Sequence, residues 1–144
     1  MSEELNAKVV RRYFEEVIDG GNRAAMAELF APGAVQHFPG RDVRVEGGAG
    51  GPSAGGRTMK TTLHHLLAAG DLVAAHLTHD VSFAPETRFL TRIGGVDVGG
   101  KSVRWEAMAL FRLENGKIVE EWVNRDELDV LVQAGAVAPK AAPA

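Results

Sequence analysis

The sequence predicts an α+β fold in which N-terminal helices pack on one face of an antiparallel sheet. Three observations carry that expectation: an amphipathic helical period near the start, alternating apolar and polar positions in stretches between Thr58 and Val123, and an Asn-Gly turn at Asn115-Gly116. From Leu5 to Ile18 the apolar residues Leu5, Val9, Val10, Tyr13, Phe14 and Val17 recur at three- and four-residue spacing, with Lys8, Arg11, Arg12, Glu15 and Glu16 between them. That is an amphipathic helix. Asp19-Gly20-Gly21 stops it, Asn22 caps a shorter helix through Phe30, and Pro32-Gly33 marks the end of the second helix.

The segment AVQHFPGRDVRVE (34–46) reads as a short strand, and GGAGGPSAGG (47–56) as a flexible loop. TMKTTLHHLL and LVAAHLTHDVSF flank Ala69-Gly70-Asp71 as a hairpin, although the first of them also fits a helical period. VRWEAMALFRL and KIVEEWV flank Glu114-Asn115-Gly116, a strong hairpin signal because both central turn positions need positive φ. The last helix is expected to start at Asn124, which has capping-box spacing to Glu127. Its apolar stripe is Leu128, Leu131 and Val132, and Gly135 ends it. Residues 1–136 form one domain, and 137–144 a Pro/Ala-rich flexible tail.

At 144 residues the chain is long enough for one adequate core and too short for two. Sixteen basic against nineteen acidic residues, with no basic run longer than Arg11-Arg12, give no footprint for nucleic acid or an anionic membrane. A small-molecule partner is the expectation. The chain has no cysteine, which removes disulfides, thiolate metal sites and a cysteine nucleophile. MSEELNAKVV lacks the basic and apolar regions of a signal peptide, so the expected location is cytoplasmic.

If Asn115-Gly116 is a two-residue turn, regular pairing places Phe111 opposite Glu120, Ala109 opposite Trp122 and Ala107 opposite Asn124. One face then carries Val103, Trp105, Ala107, Ala109, Phe111, Ile118, Glu120, Trp122 and Asn124, with Asp126 just beyond. The other carries Arg104, Glu106, Met108, Leu110, Arg112, Val119, Glu121 and Val123. Small alanines beside large aromatics make the first face the wall of an apolar pocket with a few polar groups. A β-bulge between Val103 and Val123 would undo this assignment.

The order of RYFEEVIDGG, AELFAPGAVQHFPG, LAAGDLVAAH and ALFRLENGKIVEEWVNRDELDVLVQAG resembles the SnoaL-like polyketide cyclase group of the NTF2-like superfamily. The resemblance covers most of residues 5–135. It implies a cone in which a curved antiparallel sheet wraps around the helices and encloses a deep apolar pocket, often in a homodimer. It implies cofactor-free chemistry of cyclase, isomerase, dehydratase or hydrolase type. By the same resemblance Asp126, after the EEW motif, stands where the cyclases have their acid/base, His37 stands for a loop histidine, and Tyr13 for a pocket tyrosine. The Gly-rich stretch departs from the family, which has a helix over the pocket there.

The candidate catalytic residues are therefore Asp126, Glu120 and His37, with Tyr13, Trp105, Phe111, Trp122 and Asn124 as substrate contacts. Proton transfer beside a carbonyl needs a group titrating near the working pH, which a desolvated carboxylate supplies. The plain alternative for Asp126 is an ordinary acid in the first turn of a helix. The competing function is a noncatalytic ligand-binding or dimerisation module. His64, His65, His76 and His79 do not make a metal site: on strands, neighbours and residues three apart point to opposite faces, although His64 or His65 should oppose His76. GPSAGGRT lacks the lysine of a phosphate-binding loop, having Arg57 in its place. No cofactor and no metal are expected.

Overall fold

The computed structural model describes residues 2–46, 53–54, 56–138 and 140. Helix α1 (Glu3–Arg12) is capped by the Ser2 side chain, which accepts from the Leu5 amide at 3.2 Å. It runs straight into a π-helical segment, Tyr13–Asp19, which buries Tyr13 and Phe14. The second helix is shorter than its sequence signals: a 3-10 turn (Arg23–Ala25) leads into α2 (Met26–Leu29), and Asn22 makes no side-chain cap. Pro32-Gly33 does not end a helix. It lies inside β1 (Phe30–Phe38).

The remaining elements are β2 (Arg41–Arg44), β3 (Ser53–Ala54), β4 (Arg57–Ala69), β5 (Leu72–Phe83), β6 (Arg88–Thr91), β7 (Gly94–Asp97), β8 (Ser102–Glu114), β9 (Lys117–Arg125) and α3 (Glu127–Gln133). The large sheet has the order β2-β1-β9-β8-β5-β4, and a smaller one the order β3-β6-β7. Among the described residues every strand pair is antiparallel except β1 with β9. Helices at the N-terminus against a curved, mostly antiparallel sheet make this the α+β cone expected from the sequence. The β6–β7 hairpin was not read in the sequence; its strands are only four residues long, and Gly94-Gly95 weakens their alternation.

TMKTTLHHLL is a strand. Its bulge lies between Leu63 and His65, so His65 rather than His64 opposes His76. At the second hairpin Asn115 and Gly116 both take positive φ, 50° and 76°. Gly116→Val should cost about 1–2 kcal/mol, because a β-branched residue resists the left-handed region. Urea unfolding of the variant checks this, and an unchanged midpoint would show that the turn relaxes freely. GGAGGPSAGG falls largely outside the described residues, as does most of 137–144.

The core joins Val10, Tyr13, Phe14, Leu29 and Phe30 to Val73, Leu77, Phe111, Leu113 and Ile118 from the sheet. Strand β8 alternates as expected, with Val103, Trp105, Ala107, Ala109 and Phe111 inside. Strand β9 does not follow the expected register. Leu113 pairs with Ile118, but Arg112 pairs with Glu120, so Val119 is an extra residue and a bulge reverses every later side chain. Glu121, Val123 and Arg125 oppose Phe111, Ala109 and Ala107, whereas Glu120, Trp122 and Asn124 point outward. Alternation alone could not choose, since each register puts one glutamate inside. The bulged one keeps Ile118 and Val123 both inward and lets Glu120 pair with Arg112 and His37 outside.

Candidate active site

The interior side of β4, β5, β8 and β9 meets the π-helical segment around a cavity of about 50 Å³. Tyr13, Phe14, Arg57, His79, Trp105, Glu121 and Arg125 are among its walls. The space holds roughly one or two waters. An open hollow of about 560 Å³ lies against Lys60, Asp80, Ser82 and Arg104, but the buried titratable groups surround the smaller space, and chemistry needs them desolvated.

Glu121 is the central group. It is 3% exposed, and burial pushes its carboxyl up to about 7, against the opposing pull of a hydrogen bond from Gln36. That bond, Gln36 Nε2 to Glu121 Oε1, is 2.6 Å long. The same amide nitrogen donates to the Tyr13 hydroxyl at 3.2 Å. Burial and the nearby Glu121 raise the Tyr13 hydroxyl well above its ordinary value, so it stays a proton donor. The Tyr13 oxygen already accepts from Gln36, and its own hydrogen is directed elsewhere.

Two guanidinium groups share the wall. Burial lowers both Arg57 and Arg125 from their usual values without discharging them. Arg125 donates from Nε to Glu127 Oε2 at 2.8 Å and from Nη2 to the Leu90 carbonyl at 2.6 Å, and lies 4.5 Å from the Phe89 ring centre. His79 is held neutral by burial first and then by Arg57 and Arg125, its value brought down to about 3.

The structure redistributes the residues singled out in the sequence. Tyr13 and Trp105 line the cavity, and Phe111 is buried behind it, edge-on to Tyr13. The expectation that Glu120, Trp122, Asn124 and Asp126 share the interior is corrected by the bulge. Trp122 is 37% exposed, and its ring stacks on His37 with centres 5.6 Å apart. Asn124 is an exposed strand residue, and Asp126 replaces it as cap of α3, accepting from the Asp129 amide at 3.1 Å. Glu121, Gln36, Arg57, His79 and Arg125 were missed as site residues. No local signal identifies them: Ile118 and Val123 are five apart and demand one extra residue between them only once both are known to face inward, which alternation does not tell.

His37 sits outside between two carboxylates, with Nε2 2.7 Å from Glu120 and Nδ1 2.8 Å from Asp42. Glu120 first, and Asp42 second, raise its pKa above the ordinary histidine value. A raised value means stability that is complete below the unfolded pKa of about 6.5 and is lost as pH climbs through the folded one. His37→Gln should therefore be clearly destabilising at pH 5.5 and nearly silent at pH 9 in paired urea titrations. An equal effect at both values would show that the ring contributes by packing alone. Among the described residues no group of three or more possible metal ligands exists, and no helix is long and apolar enough to cross a membrane.

Comparison with known proteins agrees with this architecture. The family model of the SnoaL-like domain matches residues 10–121. No curated protein matches the sequence. Among solved structures, a proposed SnoaL-like polyketide cyclase from Jannaschia sp. CCS1 shares 22% identity at a TM-score of 0.72, over 96% of this chain and 95% of that one. AclR, a proposed hydroxylase from Streptomyces galilaeus, gives 18% and 0.72 over 97% and 87%. An epoxide hydrolase of M. tuberculosis gives 13% and 0.65 over 93% and 92%. At these identities the likeness establishes the fold.

Proposed function

The chain belongs to the SnoaL-like family on the NTF2-like fold, and we propose that it is a general acid/base enzyme acting on a small, largely apolar molecule without a cofactor. The observation that carries this reading is Glu121, a buried carboxyl beside a cavity whose pKa is pushed up to about 7. An ordinary carboxylate is too weak a base for carbon acids and too strong an acid to hold a proton at neutral pH. Near its midpoint Glu121 can do both.

Its ionised form would take a proton from a carbon next to a carbonyl, and its acid form would return that proton elsewhere on the same molecule. The Tyr13 hydroxyl, turned away from Gln36, would donate to the carbonyl oxygen as charge gathers there. Arg57 and Arg125 would add positive potential, and Phe14 and Trp105 would hold the apolar body. This covers aldol-type ring closure and double-bond isomerisation. Productive binding requires the rim to widen, because about 50 Å³ falls well short of the roughly 300 Å³ that encloses a larger ligand.

The direct test is a ¹³C NMR titration of the Glu121 carboxyl in the intact protein. A midpoint within about a unit of 7 supports the reading. A midpoint near 4.5, the ordinary glutamate value, would leave this fold serving as a binding module only.

A further inference from the structure

His79 is the other cavity group whose proton can be located from its hydrogen bonds. It is 9% exposed, with its ring centre 5.3 Å from that of Trp105 and 6.3 Å from that of Phe14. Its Nδ1 lies 2.8 Å from Thr61 Oγ1. The Thr61 hydroxyl has a single hydrogen, which it gives to Asp19 Oδ1 at 2.7 Å, and the Thr61 amide holds Asp19 Oδ2 at 2.8 Å. With that hydrogen committed, Thr61 Oγ1 can only accept from the ring. Nδ1 therefore carries the imidazole hydrogen, and Nε2 keeps a bare lone pair.

A second proton is opposed by burial and by the two cationic groups nearby, Arg57 and Arg125, with Asp80 acting the other way. Among the described residues no hydrogen bond uses Nε2. His79 lines the cavity, and Nε2 is not among the fully enclosed polar atoms without a partner, so water can reach it when the cavity is empty; a ligand that replaces that water with its own donor is favoured over an isostere that cannot.

We propose that His79 Nε2 is a fixed hydrogen-bond acceptor for the bound molecule, and that the substrate is a hydroxylated ketone or its enol. The hydroxyl would donate to His79, while the carbonyl would accept from Tyr13. Asp19 and Thr61 are then positioning residues that set the tautomer from behind. The proposal rests on the same cavity as the acid/base reading, but not on the ionisation of Glu121.

Long-range ¹H–¹⁵N NMR of the intact protein at pH 7 reads the tautomer directly. The expected spectrum has His79 protonated on Nδ1, a preference that weakens in Thr61→Val and returns in Thr61→Ser. Hydroxyacetone and butanone, which differ only by hydroxyl against methyl, then probe the acceptor. Hydroxyacetone should shift the Nε2 resonance and bind about tenfold more tightly than butanone, a preference absent from His79→Phe. Hydrogen found on Nε2 in the wild-type protein would overturn the proposal, as would an equal response to the two ketones. Glu121→Gln should keep the tautomer and the ketone preference, so failure of the acid/base reading shows separately.

Discussion

Glu121→Gln should remove turnover by about 10²–10⁴-fold and should at the same time stabilise the folded protein above pH 7. The first effect follows from loss of the carboxyl proposed to take and return the proton, with shape nearly unchanged. The second follows from linkage. The native carboxyl holds its proton up to about 7, while the unfolded one releases it near 4.5. Between those values the native state binds more protons, so stability falls as pH rises, by roughly 3 kcal/mol in all at 1.36 kcal/mol per unit. Wild type and variant should unfold at similar urea concentrations at pH 4, and the variant should lead at pH 8. A variant that is inactive and also less stable at pH 8 would mean that Glu121 is a structural acid.

Arg125→Ala should destabilise by about 3–5 kcal/mol. The Arg125 side chain is 3% exposed and its partner Glu127 11%, so truncation strands a largely buried carboxylate and a half-buried Leu90 carbonyl. It also removes the guanidinium from the faces of Phe89 and Phe38. Arg125→Met combined with Glu127→Gln should recover a good part of the loss, because the cost lies in the uncompensated partner. Chemical denaturation of the three proteins decides. A single-variant loss below about 1 kcal/mol would place the pair effectively in water.

How much of this could be read from the sequence depended on the range of the interaction. The first helix, both long hairpins and the Asn115-Gly116 turn were legible because period and turn chemistry are local. The inward face of β8 was legible for the same reason. The inward face of β9 was not, since Val119 bulges against Arg112 for the sake of contacts that Glu120, Val123 and Arg125 make with distant parts of the chain. One residue of slip moved Glu120, Trp122 and Asn124 out of the site and brought Glu121 in. The cap of α3 moved with it, from Asn124 to Asp126.

The one parallel pairing among the described residues, β1 beside β9, has a kinetic implication. The Gln36–Glu121 hydrogen bond joins positions 85 apart in sequence. During synthesis, β1 can pair early with β2, but its β9 neighbour emerges only after the intervening strands, and the entropy of closing so long a loop must be met before that contact helps. Local hairpins would assemble early, and the Glu121 carboxyl would stay solvated, with an unremarkable acidity, until the last strand docks.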